Sequence, residues 1–167
     1  YEAGNIILAG DSAGGGLAVA AMLSLRDAGS PMPAAAILLS PWSDLEVRGK
    51  SVQAVGRRDP MLSARALRRE AGMYLGNEDS RHPLASPVYA DLSGLPPMLI
   101  QAGTREILLD DARRLAQRAE ENGVEVELDV WEGMFHVWQF FTPLVPESNK
   151  ALERLGSFAR DKTDGIV

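Results

Sequence analysis

The sequence predicts an α/β fold in which a mostly parallel sheet is covered by helices on both faces. Strand-like and helical segments alternate along the 167 residues. Three of the four predicted strands are continuous apolar runs rather than alternating ones. Unbroken apolar runs are typical of parallel strands buried on both faces, and the alternation of strands with helices favours a parallel sheet that helices cover on both sides.

The strands are predicted over Asn5–Ala9, Ala34–Leu39, Met98–Ala102 and Val124–Val130. The first three are expected to be buried on both faces. The fourth differs, since apolar and acidic side chains alternate strictly along it. That pattern predicts an edge strand with one face in water.

Four helical segments follow these strands or lie between them. They are predicted from Ser12 to about Ala28, from Ser63 to Leu75, from about Leu108 to a stop at Gly123, and from Pro146 to Ala159. Residues 42–60 are expected to form a loop with a short helix. Four strands are few for a complete sheet of this kind, so residues 1–167 are expected to be the C-terminal portion of one larger domain.

Composition excludes several classes of function. A net charge of −6 disfavours a nucleic-acid surface. The absence of cysteine excludes disulfides, thiol nucleophiles and cysteine-ligated zinc, and only two histidines remain. The longest apolar stretches fall short of the roughly 18 residues that a membrane span needs. We therefore expect neither a metal nor another cofactor, and no membrane span.

The most informative motif is Gly10-Asp11-Ser12-Ala13-Gly14-Gly15, where a predicted strand turns directly into a helix. It fits the G-x-S-x-G pattern of a nucleophile elbow. Such a turn projects the serine hydroxyl above the sheet, and Cβ atoms at Gly10 or Gly14 are expected to collide with neighbouring backbone. The Ala13 N–H at the helix start is placed to bind an oxyanion.

The segment has two other interpretations. Ser12 could simply cap the helix in a glycine-rich turn. A phosphate-binding loop is disfavoured, because Leu17 and Ala18 stand where that motif needs lysine and a hydroxyl residue.

A serine nucleophile needs a base, and the two histidines limit the choice. Nucleophile, acid and histidine follow one another along the chain in this type of fold. His136 comes after the edge strand, where a loop can return it over the sheet. His82 precedes the third strand and is expected to be a surface-loop residue.

The acid should follow the third strand. Glu106, Asp110 and Asp111 are the candidates there. Glu106 is expected on the loop, whereas both aspartates fall in the first helical turn, where the helix dipole alone favours them. Glu106 is therefore the first choice and Asp110 the second.

The chain resembles the bacterial hormone-sensitive-lipase-like esterases of the α/β-hydrolase superfamily. The resemblance rests on the Gly10–Gly15 elbow, Leu39-Ser40-Pro41-Trp42-Ser43-Asp44, Asp59-Pro60-Met61-Leu62 and the segment around His136. It implies cleavage of short- to medium-chain acyl esters by Ser12, Glu106 and His136. In that family an Asp-Pro-Leu motif usually carries the acid, and Glu106-Ile107-Leu108 stands in its place here. The family's His-Gly-Gly-Gly oxyanion loop and its cap precede the elbow.

The leading hypothesis is thus a serine carboxylesterase that uses a small-molecule ester substrate. The alternatives are a non-catalytic small-molecule-binding relative and a peptidase or acyltransferase on the same fold. A cytoplasmic location is expected. Pairing of the edge strand with that of a second copy would give a homodimer, although Glu125 and Glu127 disfavour it.

Overall fold

A computed structural model describes residues 1–56 and 58–163 of the chain. Its four strands form one parallel sheet in the order β1-β2-β3-β4. The strands are β1 Ile7–Asp11, β2 Ala35–Leu39, β3 Met98–Gly103 and β4 Val126–Trp131. The α/β class and all four predicted strands are confirmed, with boundaries moved by up to two residues.

In the part of the chain that the structure describes, five α-helices accompany the sheet: α1 Ala13–Asp27, α2 Lys50–Ala54, α3 Ala64–Leu75, α4 Leu109–Glu121 and α5 Pro146–Lys162. Short 3-10 turns lie at Ala3–Asn5, Pro87–Tyr89 and Trp138–Phe141. The short helix expected between residues 42 and 60 is α2. Within the described ranges, none of these helices is both long enough and apolar enough to cross a bilayer.

Helices cover the sheet on both faces, as predicted. Apolar side chains of α1 and α4 pack on one face in the largest core cluster, which includes Met22 and Leu115. Phe158 of α5 packs on the other face, against Ile37 and Leu99. A third cluster, which contains Trp42 and Leu67, joins α3 to the loops at the carboxyl end of the strands.

The first strand is less buried than the sequence predicted. Each of the five residues of β1 is either partly buried or exposed, and Ala9 is among the exposed ones. In the described part of the chain β1 is paired on one side only, with β2. Within the described residues, the expectation that this strand is buried on both faces is therefore wrong.

The fourth strand lies at an edge of the sheet, as predicted, with β3 as its neighbour. Its acidic face is not simply open to water. Arg154 of α5 forms ion pairs with Glu127 and Asp129, and Lys162 pairs with Glu125 at 2.7 Å. Helix α5 thus supplies cations beside the acidic stripe and partly covers the face that was expected to be wet.

Candidate active site

The predicted site residues lie at the carboxyl edge of the sheet. Because the four strands are parallel, the loops that leave their carboxyl ends meet there. Ser12 follows β1 directly, Ser40 follows β2, Glu106 lies on the loop after β3, and His136 on the loop after β4.

Ser12 has the backbone geometry of a strained turn. Its φ and ψ are 51° and −122°, a region that residues other than glycine rarely occupy. Although Ser12 stands at the N-cap position of α1, its side chain makes no capping hydrogen bond. The helix-cap interpretation therefore does not describe this serine.

The elbow is fastened to the loop that follows β2. The Ser12 N–H donates to the Leu39 carbonyl at 2.9 Å, and the Trp42 N–H donates to the Ser12 carbonyl at 2.8 Å. Both backbone groups of Ser12 are thereby held from the neighbouring strand end. The surrounding structure, rather than the serine itself, keeps the unusual dihedral angles in place.

Glycines around the elbow allow backbone to approach backbone. A Cβ on Gly10 would lie 2.1 Å from the Gly14 carbonyl oxygen, and one on Gly16 would lie 2.2 Å from the Trp42 carbonyl oxygen. The collision expected at Gly14 is wrong, since a Cβ there would meet nothing within 4 Å. The close approach falls one and two residues later, because those helical positions face the loop after β2.

Ala13 is the first residue of α1. The N–H groups of a first helical turn have no partner within the helix, and the helix dipole favours negative charge beside them. The Ala13 N–H is therefore available to a ligand oxygen held at Ser12.

Glu106 and His136 are in direct contact. The distance from Glu106 Oε2 to His136 Nδ1 is 2.8 Å. Both side chains are buried, with 0% and 3% of their surfaces exposed. A carboxylate on Nδ1 fixes the orientation of the imidazole and leaves Nε2 as the nitrogen that can accept a proton.

The other oxygen of Glu106 is held from two sides. Oε1 accepts the Gly103 N–H at 2.5 Å and the Ser40 hydroxyl at 2.9 Å. Gly103 also lets the histidine loop come close, because a Cβ there would lie 2.2 Å from the Met134 carbonyl oxygen. The end of β3 thus places the carboxylate and makes room for the loop that carries His136.

The remaining candidates lie elsewhere. Asp110 accepts a hydrogen bond from the Ser51 N–H at 3.0 Å, so it joins α4 to α2. His82 lies exposed between α3 and β3, with its Nδ1 accepting the Leu84 N–H. The structure brings Glu106, and neither of these two residues, into contact with His136.

Asp111 is buried beside Asp44, which lies on the loop after β2. Its Oδ2 accepts the N–H groups of Ser43 and Asp44 at 3.1 and 2.9 Å. Burial and the negative charge of Asp44 raise the pKa of Asp111 to about 8, although the two N–H donors and Arg114 oppose the shift. Arg114 itself donates to Asp44 at 2.5 Å.

The described residues contain no group of three or more potential ligands arranged to hold a metal ion.

An apolar cleft of about 360 Å³ opens beside the elbow. It is formed by the start of α1, the loop after β2, one side of α3 and residues 84–85. The lining side chains are mostly apolar: Ala13, Gly14, Gly16, Leu17, Trp42, Leu45, Glu70, Ala71, Tyr74, Leu84 and Ala85.

Sequence reasoning missed the residues that support the acid. In the sequence, Ser40 and Asp59 are only members of the motifs that carry the family resemblance. Asp59 Oδ2 accepts the Ile107 N–H at 2.8 Å, which anchors the residue next to Glu106. One signal was present for Ser40, since a polar residue directly after a buried parallel strand lies at the edge where ligands bind.

A strained serine at a strand-to-helix turn, together with a buried carboxylate–histidine pair at the same sheet edge, is the arrangement of serine hydrolases built on an α/β sheet. The chain belongs to the α/β-hydrolase fold family, whose model matches residues 1–140, and within it to the bacterial hormone-sensitive-lipase-like esterases.

Proteins similar to this chain are named as an acetyl-hydrolase and as esterases. The chain is 52% identical over 160 residues to an acetyl-hydrolase of Streptomyces hygroscopicus, a match that covers 96% of this chain and 54% of that protein. It is 38% identical over 156 residues to an esterase of Acinetobacter venetianus, covering 93% of this chain and 52% of the relative. A crystal structure of an esterase from the bacterial hormone-sensitive lipase family matches with a TM-score of 0.96 at 49% identity, covering 98% of this chain and 55% of that one. The chain therefore spans about half the length of the relatives it matches.

Proposed function

We propose that the protein containing this chain is a serine carboxylesterase, with Ser12 as nucleophile, His136 as general base and acid, and Glu106 as the carboxylate that orients His136. The contact between Glu106 and His136 carries the proposal. A buried carboxylate–imidazole pair at the sheet edge that also holds a strained serine supports acyl transfer. The esterase names of the relatives support an ester as substrate.

The reaction proceeds in two halves. His136 Nε2 takes the proton of the Ser12 hydroxyl as Oγ attacks the ester carbonyl, and the resulting oxyanion is bound by the Ala13 N–H. The C–O bond to the alcohol then breaks, and His136 returns the proton to the leaving alkoxide. Water, deprotonated by His136, attacks the acyl-enzyme, which releases the carboxylic acid and restores Ser12.

The apolar cleft beside Ala13 and Gly14 is proposed to hold the acyl chain. The leaving alkoxide must lie next to His136, which protonates it. The cleft instead opens on the α1 side of Ser12, beside the oxyanion donor. Its mostly apolar walls suit an aliphatic acyl group of short to medium length, and the carboxylate of Glu70 among its lining residues disfavours anionic acyl chains.

Replacing the nucleophile tests the proposal. In the complete protein, Ser12→Ala should lower turnover of a short-chain p-nitrophenyl ester by on the order of 10⁴-fold or more. The native protein should release acid from such esters but not from peptides. Full activity of Ser12→Ala would refute the role of Ser12. Peptide cleavage would favour a peptidase, and binding without turnover would favour a non-catalytic relative.

The acyl cleft has its own test in a series of esters of increasing chain length. Each methylene that the cleft buries should raise kcat/KM by about fourfold, which corresponds to ~0.8 kcal/mol. Tyr74→Ala removes a lining side chain and should weaken this dependence. Met73→Ala is the matched control, because Met73 is also largely exposed on α3 but does not line the cleft. An equal effect of both variants would contradict the assignment.

We also propose a homodimer formed through the free edge of β4. Arg154 and Lys162 lie beside the acidic stripe and reduce the charge repulsion that two such edges would meet. Light scattering on the purified protein measures its molar mass, and the mass of a monomer would contradict this proposal.

The expected cytoplasmic location stays a prediction, which fractionation of the host cells would test.

A further inference from the structure

We propose that Ser40 is a positioning residue for catalysis, which acts through Glu106 and the loop of His136. This rests on the proposed function and adds a residue that the predicted set of Ser12, Glu106 and His136 did not include. Ser40 does not touch the substrate, because its side chain is fully buried.

The Ser40 hydroxyl joins the acid to the base. It donates to Glu106 Oε1 at 2.9 Å and accepts the N–H of Val137 at 3.2 Å. Val137 is the residue after His136, so one hydroxyl contacts both the carboxylate and the backbone that carries the imidazole. Ser40, Glu106 and Val137 lie on the loops that follow β2, β3 and β4, and the Ser40 hydroxyl joins these three loops.

Ser40 is itself held in place by backbone contacts. Its N–H donates to the Gln101 carbonyl at 2.7 Å, which fixes it to β3. Its φ is +47°, and the φ of Val137 is +48°, both in the left-handed region that β-branched residues in particular avoid. The loop after β2 and the loop after β4 therefore each have an unfavourable backbone conformation, at Ser40 and at Val137. These two residues are joined by the hydrogen bond to the Ser40 hydroxyl. Such strain persists only where the surrounding structure enforces it, and it concentrates at functional sites.

The two hydrogen bonds to Oε1 also fix the orientation of the Glu106 carboxylate. With the Gly103 N–H and the Ser40 hydroxyl on Oε1, the carboxylate presents Oε2 to His136 Nδ1. Loss of one donor leaves the carboxylate freer to rotate away from the imidazole. A small displacement of catalytic groups is costly, about 10²-fold in rate for ~1 Å.

The same loop extends to the nucleophile. Trp42, two residues after Ser40, donates its N–H to the Ser12 carbonyl. The loop after β2 thus contacts all three predicted catalytic residues or their immediate neighbours. Ser40 is the point in it where a side chain, rather than backbone, makes the contact.

The test is Ser40→Ala in the complete protein, assayed on a short-chain p-nitrophenyl ester below the melting temperature. The expected result is a fall in kcat of at least tenfold, with KM unchanged within about twofold, since a hydrogen bond to a charged group has been removed while the acyl cleft is intact. A rise in KM with unchanged kcat would overturn the proposal.

Ser86→Ala is the matched control. Ser86 is also buried, donates to one partner, the Ser80 carbonyl at 2.6 Å, and accepts from another, the Leu45 N–H at 2.8 Å, yet these bonds reach neither Glu106 nor the His136 loop nor a residue next to Glu106. Both variants should lower the melting temperature, and only Ser40→Ala should lower kcat. Equal falls in kcat would show that Ser40 has a merely structural role.

A double-mutant cycle separates this proposal from the function on which it rests. Ser40→Ala should cost much less activity in a Glu106→Gln background than in the native one, because the effect passes through the carboxylate. Additive losses would overturn the positioning role while leaving the catalytic role of Glu106 intact. If Ser12→Ala or His136→Ala stays active, the proposed function fails instead.

Discussion

Glu106 and Asp111 are two buried carboxyl groups near the start of α4, and they contact different loops. Glu106 faces the loop after β4 and contacts His136. Asp111 faces the loop after β2 and accepts two backbone N–H groups there. Burial alone therefore does not distinguish the proposed triad acid from Asp111, whereas the partner of each carboxyl group does.

The comparison also limits what a perturbed pKa reveals. The pKa of Asp111 is raised to about 8 by burial and by the charge of Asp44. Strongly shifted groups often mark functional sites, but structural networks shift them as well. Here the carboxyl group of Asp111 holds the loop after β2, and Trp42 of that loop supports the elbow. Asp111 is thus linked to the predicted reaction only indirectly.

The largest expected effect is at the base. His136→Ala should lower turnover by on the order of 10⁶-fold, because it removes the group that transfers the proton at each step. His82→Ala is the control and should stay within a small factor of the native rate, since His82 lies exposed on a loop. Equal losses in steady-state assays of the two variants would mean that the wrong histidine has been assigned.

The acid should come next in size. Glu106→Gln should reduce kcat by on the order of 10⁴-fold in a protein that still folds. Asp110→Asn should keep most of the activity and lose about 0.3–1 kcal/mol of stability, because Asp110 lies in the first turn of α4 and holds α2. Kinetics and thermal melts on both variants check this, and an inactive Asp110→Asn beside an active Glu106→Gln would reverse the assignment.

A smaller effect is expected from crowding the Glu106 region without touching a catalytic group. Gly103→Ala places a Cβ 2.2 Å from the Met134 carbonyl oxygen. The loop that carries His136 must then shift, which should lower kcat by about 10²-fold and destabilise the fold by roughly 1–3 kcal/mol.

Gly72→Ala provides the comparison for that variant. A Cβ at Gly72 would meet nothing within 4 Å, and the residue lies inside α3. It should leave activity unchanged and stabilise the helix by up to about 1 kcal/mol. A native rate in Gly103→Ala would show that the loop after β4 does not need this close approach.

The smallest effect on rate is expected at Asp111, where the change appears in stability instead. Its folded pKa of about 8 lies above the ordinary value of 3.8, so the folded state keeps a proton that the unfolded state releases between these two pH values. The stability that this group contributes is therefore complete at low pH, falls as pH rises through that window and is lost above about pH 8. Asp111→Asn cannot titrate, and its melting temperature should decline less over the same window.

Thermal melts at a series of pH values check this last expectation. Asp161→Asn is the control, because Asp161 is exposed on α5 and should leave the pH dependence as it is. Identical pH dependence in native protein and Asp111→Asn would contradict the shift.

Much of the fold could be predicted from sequence because it depends on local pattern. The apolar runs of β2 and β3 are buried throughout, and Gly123 adopts the positive φ of 76° expected after a helix. The exposure of β1 does not follow from its own apolar pattern, because a strand's burial depends on which neighbours it has. The ion pairs of β4 with α5 depend on a helix that follows much later in the chain.

The site was predictable to a similar extent. Ser12 stands out through its motif, and Glu106 and His136 through their places after β3 and β4. Ser40 and Asp59 did not stand out, since their roles arise only when separate loops meet. The error at Gly14 has the same origin, because whether a Cβ collides depends on the facing loop and not on the motif.

The central claim is the proposal that the pair Glu106–His136 activates Ser12, and covalent labelling tests it most directly. The complete protein is treated with an organophosphate and digested, and the modified peptide is identified by mass spectrometry. We expect the label on Ser12 in the native protein, and its rate of formation should fall by orders of magnitude in His136→Ala while staying near native in His82→Ala. A label on any other serine, or equally fast labelling of Ser12 without His136, would contradict the account.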